Sequence, residues 1–252
     1  MGKIVISGPQ NVSLDGVVQD PDGEEGFRLG GWFVQFGGKD LEEWNKVALA
    51  EALGAEAWLL GRRSYEFFGV RWRPRSGELA DRLNSMPKYV VSSTLVDPDW
   101  NNSTVLEGDV VEEVSKLKQQ LDGEIVVPAS CHLGRTLIEH DLIDELRLVV
   151  FPVVLGAGER LFGEESGTKP MRLARNKTIG DGLLFLTYEF VREVQRASDG
   201  AGVPGERRES SRRQESAPRC SGELVPLPGT RPRNVRRRDR LGGLLHEYEL
   251  AA

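Results

Sequence analysis

The chain has 252 residues, enough for one good-sized domain or two small ones, and its 39% hydrophobic and 29% charged content is that of a soluble globular protein. No run approaches the ~20 apolar residues that cross a bilayer, and the apolar stretch from Ile4 to Ile6 is too short for a secretory segment, so a cytoplasmic protein with no membrane partner is expected. Residues 1–195 hold 21 basic and 31 acidic residues, whereas residues 196–252 hold 12 and 8; an acidic body argues against nucleic acid as its partner, because phosphate neutralisation needs clustered Lys and Arg.

Apolar runs at residues 3–7, 57–60, 89–92, 125–127 and 146–155 mark strands. They are continuous rather than alternating, which predicts a sheet covered on both faces. Helices fall between them. Asp40 with Glu43, and Asp109 with Glu112, have the spacing of a capping box. After Asp109, Val110, Val114, Leu117 and Leu121 recur at helical spacing and predict one apolar stripe. A further helix is expected over residues 131–140, and residues 171–177 and 183–191 flank a turn at Gly180 to Gly182. The order predicts an α/β fold: a mixed, mainly parallel sheet of about eight strands with helices on both faces. From Arg196 onward Gly, Pro, Ser and Arg dominate, so residues 1–195 are read as the folded domain and 196–252 as a basic tail. Within that tail, residues 196–240 are expected to be disordered and residues 241–250 to form one or two weak helical turns. Cys131 and Cys220 lie in regions of different character and give no disulfide framework. His132, His140 and His246 are too scattered for a metal site, and no metal is expected.

Three strand-to-helix junctions point to one edge of this sheet. In Leu59-Leu60-Gly61-Arg62-Arg63-Ser64, a strand runs through a glycine into a helix start with two arginines and a hydroxyl, the materials of a phosphate site. A plain strand-to-helix turn with solvated arginines fits the same spacing. Ser92, Ser93 and Thr94 follow another strand, where hydroxyls meet a cofactor phosphate or ribose, or simply form a turn. The third junction is Val127-Pro128-Ala129-Ser130-Cys131-His132. Ser130 there fits a helix cap, and neighbours on a helix start do not face each other as a nucleophile and base must. The run Gly156-Ala157-Gly158-Glu159-Arg160-Leu161 has Leu161 where a dinucleotide fingerprint needs its third glycine.

Taken in order, Ser13-Leu14-Asp15-Gly16, Leu60-Gly61-Arg62-Arg63-Ser64-Tyr65-Glu66, Pro87-Lys88-Tyr89-Val90-Val91-Ser92-Ser93-Thr94-Leu95, and Leu142-Ile143-Asp144-Glu145-Leu146-Arg147-Leu148 leading into Pro152-Val153-Val154-Leu155-Gly156 resemble the dihydrofolate reductase-like superfamily, in its bacterial riboflavin-biosynthesis reductase branch. The resemblance covers about residues 3–191. It implies NADPH across the carboxyl ends of the central strands, with Gly61 at the turn and Arg62 or Arg63 on the adenosine 2′-phosphate. It further places Ser64 on the phosphates, Ser92, Ser93 and Thr94 against the adenosine half, and the helix start at Ser130 facing the pyrophosphate. The family usually has glycines where this chain has Pro128 and Ala129, and glycine is what lets a backbone approach a phosphate closely. The nicotinamide is expected near residues 7–16, with Asp15 orienting substrate or relaying a proton, or closing an Asp-Gly turn. The acidic, Gly-rich loop of residues 20–31, ending in Trp32, is expected to act as a lid. The implied activity is NADPH-dependent reduction of a small heterocyclic or carbonyl substrate, pterin-like or ribosylaminopyrimidine-like. A non-catalytic nucleotide- or ligand-binding protein on the same fold is the alternative, and a homodimer pairing through residues 151–155 is expected.

Overall fold

The apolar runs form the middle of one sheet. The computed structural model describes residues 1–163, 167–191, 235–240 and 245–250. Its body strands are β1 (Lys3–Ser13), β2 (Ala55–Gly61), β3 (Lys88–Val91), β4 (Ser103–Leu106), β5 (Glu124–Val127), β6 (Glu145–Phe151), β7 (Met171–Ile179) and β8 (Leu183–Phe190). They lie side by side in the order β4-β3-β2-β5-β1-β6-β8-β7. The first six run parallel, and β8 is antiparallel to both β6 and β7. The α/β architecture read from the sequence is the one observed.

Alternate residues of each run serve opposite faces, and both faces are covered, which is why the runs are unbroken. Ile4, Ile6, Ile125 and Val127 pack with Val114 and Leu117 of α5 (Val110–Gln120) and with Leu133 and Leu137 of α6 (Cys131–Glu139). Across the sheet, Val126, Trp58 and Leu60 meet Tyr65 and Trp72 of α3 (Arg62–Trp72) and Leu83 of α4 (Glu78–Ser85). Further along the same face, Val149 and Phe151 pack under Trp32 and Phe33 of α1 (Trp32–Gly37) and Trp44 of α2 (Leu41–Gly54).

The differences from the sequence reading have local causes. Strand β1 does not stop at Ser7: Gly8, at φ +113°, carries the chain through a register shift between Ile6 and Gln10, so the glycine makes a bulge rather than an end. A Cβ on Gly8 would stand 2.7 Å from Cβ of Pro128, so two site-forming segments touch there. Asp40 does not cap α2. Its carboxylate accepts the Asp181 and Gly182 N–H groups (3.1 and 2.8 Å), tying the β7–β8 turn to the helix, a long-range use that a local spacing rule cannot detect. Asp109 does cap α5, accepting from Val111 and Glu112 N–H at 3.0 Å each. Strand β6 ends at Phe151, ahead of Pro152, and Phe151 is fully buried with Trp32 and Phe33 centroids 5.3 and 5.5 Å away. It is therefore covered by its own chain and offers nothing to a second copy. The edge strand β4 was not anticipated, since only two of its four residues are apolar.

In the tail, residues 192–234 lie outside the described residues, and with them most of the stretch expected to be disordered. Val235–Arg240 and Leu245–Leu250 form an antiparallel hairpin, with Val235 opposite Leu250 and Arg240 opposite Leu245, in place of the expected disorder and helical turns. Composition counts apolar burial and cannot register a partner strand, which supplies backbone hydrogen bonds without it. Among the described residues no helix is long and apolar enough to cross a membrane.

Candidate functional site

The carboxyl ends of β2, β3 and β5 come together and bring the three predicted junctions into contact. Gly61 ends β2, and its N–H donates to Ser130 Oγ (3.2 Å), while Ser64 Oγ, one turn into α3, donates to the Ala129 carbonyl (3.0 Å). Ser130 is buried, and its hydroxyl donates in turn to the Pro128 carbonyl (3.0 Å). Ser130 therefore caps nothing: it staples the start of α6 to the end of β2, because a hydroxyl enclosed between two chain segments takes the partners at hand. Arg62 spans to the next junction, donating to Thr94 Oγ1 (2.5 Å) and to Glu66 (2.8 Å). Ser92 Oγ accepts the Thr94 and Leu95 N–H groups (3.2 and 3.0 Å), the turn-forming alternative of the two open for it.

Arg63 and Ser93 are left over. Both are exposed, and neither makes a hydrogen bond or ion pair among the described residues. The position of a Gly61 Cβ meets nothing within 4 Å, so a ligand has open access to that backbone. Ala129 is exposed and adopts φ +44°, the left-handed region where glycine is the usual occupant. A turn that glycine usually makes is thus made by an alanine under strain.

Asp15 stands at the far end of β1. Its carboxylate accepts from Ser13 Oγ (2.7 Å), Leu155 N–H (3.1 Å) and Gly156 N–H (2.8 Å), and Arg160 Nε donates to its carbonyl (3.0 Å). Partial burial pushes this carboxyl up, but the Ser13, Leu155 and Gly156 hydrogen bonds outweigh it and bring its pKa down to about 2. The group is an anionic clamp joining the β1 turn to the segment after β6, and at neutral pH it has no proton to give.

The acidic loop of residues 20–31 is closed on itself at Asp20. That buried side chain accepts from Glu25 N–H (3.0 Å) and Phe27 N–H (2.9 Å), and its carbonyl accepts from Gly31 N–H (3.0 Å). Trp32 is buried and donates through Nε1 to the Gln19 carbonyl (2.9 Å). Arg71 of α3 holds the outer edge: its guanidinium stacks on Phe67 (3.4 Å), donates to Glu24 (2.5 Å) and lies 4.0 Å from Asp22. This is a loop strapped over α3. The sequence showed its acidity but not Arg71, since nothing in a helix spacing says that one arginine reaches 47 residues back.

On the α2–α4 side, a recess of about 40 Å³ is lined by Gly8, Val126, Trp44, Trp58, Trp72 and the carboxylate of Glu51. Gly8 forms one of its walls and touches Pro128, so the recess and the junction cluster share a boundary. Sequence reasoning missed it, because three tryptophans far apart in the chain carry no common spacing.

Comparison with known proteins agrees with this geometry. Residues 10–185 match the family model described as the RibD C-terminal domain. Among individual proteins, the chain is similar to YyaP, an uncharacterized protein of Bacillus subtilis (strain 168), at 30% identity over 138 residues, which span 52% of this chain and 72% of YyaP. It is also similar to YwjB of the same organism, likewise uncharacterized, at 25% over 174 residues, 68% of this chain and 90% of that one. Among solved structures, a putative riboflavin biosynthesis protein from Shewanella sp. PV-4 superposes with TM-score 0.58 at 21% identity, covering 76% of this chain and 99% of that one. Acinetobacter baumannii RibD superposes with TM-score 0.50 at 12%, covering 76% and 58%. With the family model spanning well over half its length and the sheet order and junctions in accord, this chain belongs to the RibD C-terminal domain family and has its reductase-type α/β fold.

Proposed function

We propose that the protein is an NADPH-dependent reductase of a small heterocyclic or carbonyl substrate. The observation that carries the proposal is Arg63: a guanidinium without a partner among the described residues at the start of α3, beside the open Gly61 backbone and the left-handed turn at Ala129. Unpaired cations and free N–H groups at a helix start fit phosphate. Of the two arginines, Arg63 is assigned to the adenosine 2′-phosphate and Arg62 to bracing, since Arg62 is already committed to Thr94 and Glu66. Gly61 and the backbone at residues 129–131 would lie along the phosphates, Ser93 offers the free hydroxyl to the adenosine half, and Ser64 and Ser130 hold the two strand ends together beneath them. When bound, the cofactor supplies the hydride. The chain's own residues bind and orient: Asp15 fixes the β1 turn, and Gly8 brings β1 against Pro128 beside the cradle.

A non-catalytic binding protein on the same fold is the competing reading, and it is favoured by the Asp15 carboxylate being taken up by Ser13, Leu155 and Gly156. The two separate on substrate-dependent NADPH consumption across a panel of pterins, pyrimidines and aldehydes, where sustained turnover excludes the inert reading. The cofactor assignment is tested by titrating wild type, Arg63→Ala and Arg62→Ala with NADPH and NADH at matched ionic strength. Micromolar NADPH affinity, about −8 kcal/mol, is expected for wild type. Arg63→Ala should weaken NADPH about tenfold, from the loss of a charge-assisted hydrogen bond, and leave NADH nearly unchanged. Equal loss for both cofactors would contradict the role of Arg63. A homodimer is proposed on the same footing. With Phe151 enclosed, Leu14, Val154 and Leu184 are exposed apolar residues near that end of the sheet, and light scattering of the purified protein decides.

A further inference from the structure

Strand β1 carries one polar side chain in an apolar column. Ile4, Ile6 and Val12 belong to the core on the α5–α6 face, and Leu148 and Val150 of β6 pack against the same core. Gln10 lies opposite Leu148, two residues before Val12, and so shares that column. It is 6% exposed. Its Nε2 makes one long hydrogen bond, to the Asn11 carbonyl (3.3 Å), and its Oε1 accepts nothing among the described residues. A buried carboxamide normally has its donors and acceptor satisfied, because bare ones forfeit the hydrogen bonds that water gave them. The packing of the fold supplies no reason for this one.

The sheet around Gln10 does. Strand β5 pairs with β1 only from Lys3 to Ile6 and ends at Val127, whereas β1 runs on to Ser13 against β6 alone. From Gln10 onward the β5 side of β1 is an edge with no strand beside it. Leu14 N–H donates to the Val153 carbonyl beyond β6 (2.8 Å) and Ser13 N–H to that of Val17 (3.0 Å), so by alternation the Asn11 carbonyl touched by Gln10 is turned to the open edge. That edge borders the proposed cradle. A Cβ on Gly8 would stand 2.7 Å from Cβ of Pro128, and Gln10 is two residues on, no more than about 7 Å along the strand. Helix α6, which starts beside Pro128, crosses the same face, where a Cβ on Gly134 would stand 3.3 Å from Ile6 Cδ1.

We propose that Gln10 is a specificity-determining residue, whose carboxamide reads a substrate carrying a hydrogen-bond donor and an acceptor on neighbouring atoms, as a cyclic amide does. The inference rests on the reductase reading of this edge and narrows its substrate to a ring with an N–H beside a C=O. The two groups are complementary: Nε2 donates to the ring carbonyl while Oε1 accepts from the ring N–H. A simple aldehyde or ketone takes only the first bond and leaves Oε1 bare. It is therefore bound less well, as a site built to hydrogen-bond a group rejects an analogue that lacks it.

The test is equilibrium binding to the full chain, wild type and Gln10→Met, of pteridine-2,4-dione and of its 1,3-dimethyl derivative, which keeps the carbonyls and loses both ring N–H groups. Wild type is expected to prefer the dione about tenfold or more, the worth of one buried hydrogen bond. In Gln10→Met, which keeps the length of the side chain and removes the amide, the preference should fall to within about threefold. A preference that survives in Gln10→Met is steric and overturns the inference. Wild type that binds both pteridines alike, or neither, overturns it as well. The melting temperature of Gln10→Met should equal or exceed that of wild type, since an under-satisfied amide has gone; a variant that does not fold would make Gln10 a support of the core and also overturn the inference. NADPH titration of both proteins separates the two readings. NADPH bound equally by both, with no pteridine preference, leaves the cofactor reading standing without Gln10. No NADPH binding, with the preference present and lost in Gln10→Met, leaves Gln10 standing without the cofactor.

Discussion

The two ends of the sheet handle charge in opposite ways. At the amino-terminal strand ends, Arg147 of β6 donates to Glu51 (3.0 Å), to Glu124 (2.6 and 2.9 Å) and to Glu145, while Lys3 reaches Glu145 and Ser7 reaches Glu51. This cluster is enclosed: Arg147 is 6% exposed and Glu145 1%. Burial alone would push the Arg147 guanidinium down, yet its bonds to Glu124, Glu51 and Glu145 hold it above its ordinary value. Glu145 is likewise held below the usual carboxylate range, as Lys3 and Arg147 outweigh its burial. At the carboxyl-terminal ends, Arg63 is exposed with no bonded partner among the described residues. Buried charge needs partners that offset its desolvation; exposed charge left unpaired on a rigid edge is free for a ligand.

The largest effect expected from this contrast is at Arg147. Arg147→Met leaves three partly or fully buried carboxylates facing one another and should cost about 3–5 kcal/mol in urea unfolding. Arg63→Met should change stability by less than about 0.5 kcal/mol. A loss under about 1 kcal/mol at Arg147 would mean that solvent screens the cluster, and the contrast between the two ends would fail.

Lys88 sharpens the rule, because it is fully buried with no carboxylate. Its ammonium donates to the carbonyls of Met86 (2.8 Å), Asn101 (3.0 Å) and Asn84 (3.3 Å) and lies 4.5 Å from the Trp100 ring. Burial, aided by Arg82, pushes its pKa down to about 8 from 10.5. Above pH 8 the folded protein has released a proton that the unfolded chain keeps, so stability should rise with pH, by up to about 1.4 kcal/mol per unit. Cys131 opposes this above pH 9, since burial raises its thiol from 9.0 to about 11 and the unfolded chain then loses its proton first. The clean window is pH 8 to 9. There the urea midpoint of wild type should climb while that of Lys88→Met stays flat, and a flat wild-type profile would place the amine in ordinary solvation.

Much of this fold was legible in the sequence because burial on both faces of a sheet leaves unbroken apolar runs, and Ile125 to Val127 is readable with no partner known. The Asp109 cap was legible because its N–H donors are two and three residues away, and Asp109→Ala should cost about 1 kcal/mol of stability with cofactor affinity unchanged. Contacts set by tertiary structure were not legible. Asp40 has a capping spacing but serves Asp181 and Gly182, more than 140 residues on. Ser130 has a capping identity but bonds to Gly61, and Gly8 has the look of a terminator but makes a bulge. For the site, sequence located the junctions and the hydroxyls, whereas which arginine is free depends on Thr94, drawn in from another element, and on Glu66, one turn along the helix.

The smallest predicted effect bears on the departure from the family pattern. Ala129 at φ +44° adopts a backbone that costs an L-residue about 1–2 kcal/mol and costs glycine nothing. Glycine loses more freedom on folding, which offsets part of that. Ala129→Gly should therefore stabilise the protein by about 0.5–1 kcal/mol, read as a rise in the urea midpoint with an unchanged slope. The exposed Ala129 methyl also stands where a phosphate would approach the turn, so the same variant should bind NADPH as tightly as wild type or more so. A gain in stability with no loss of affinity would mean that the alanine is a strained substitute in a cradle whose shape is intact. Lost affinity would mean that the strain is what holds the backbone N–H groups in place, and that this edge, like the paired end of the sheet, depends on being over-determined.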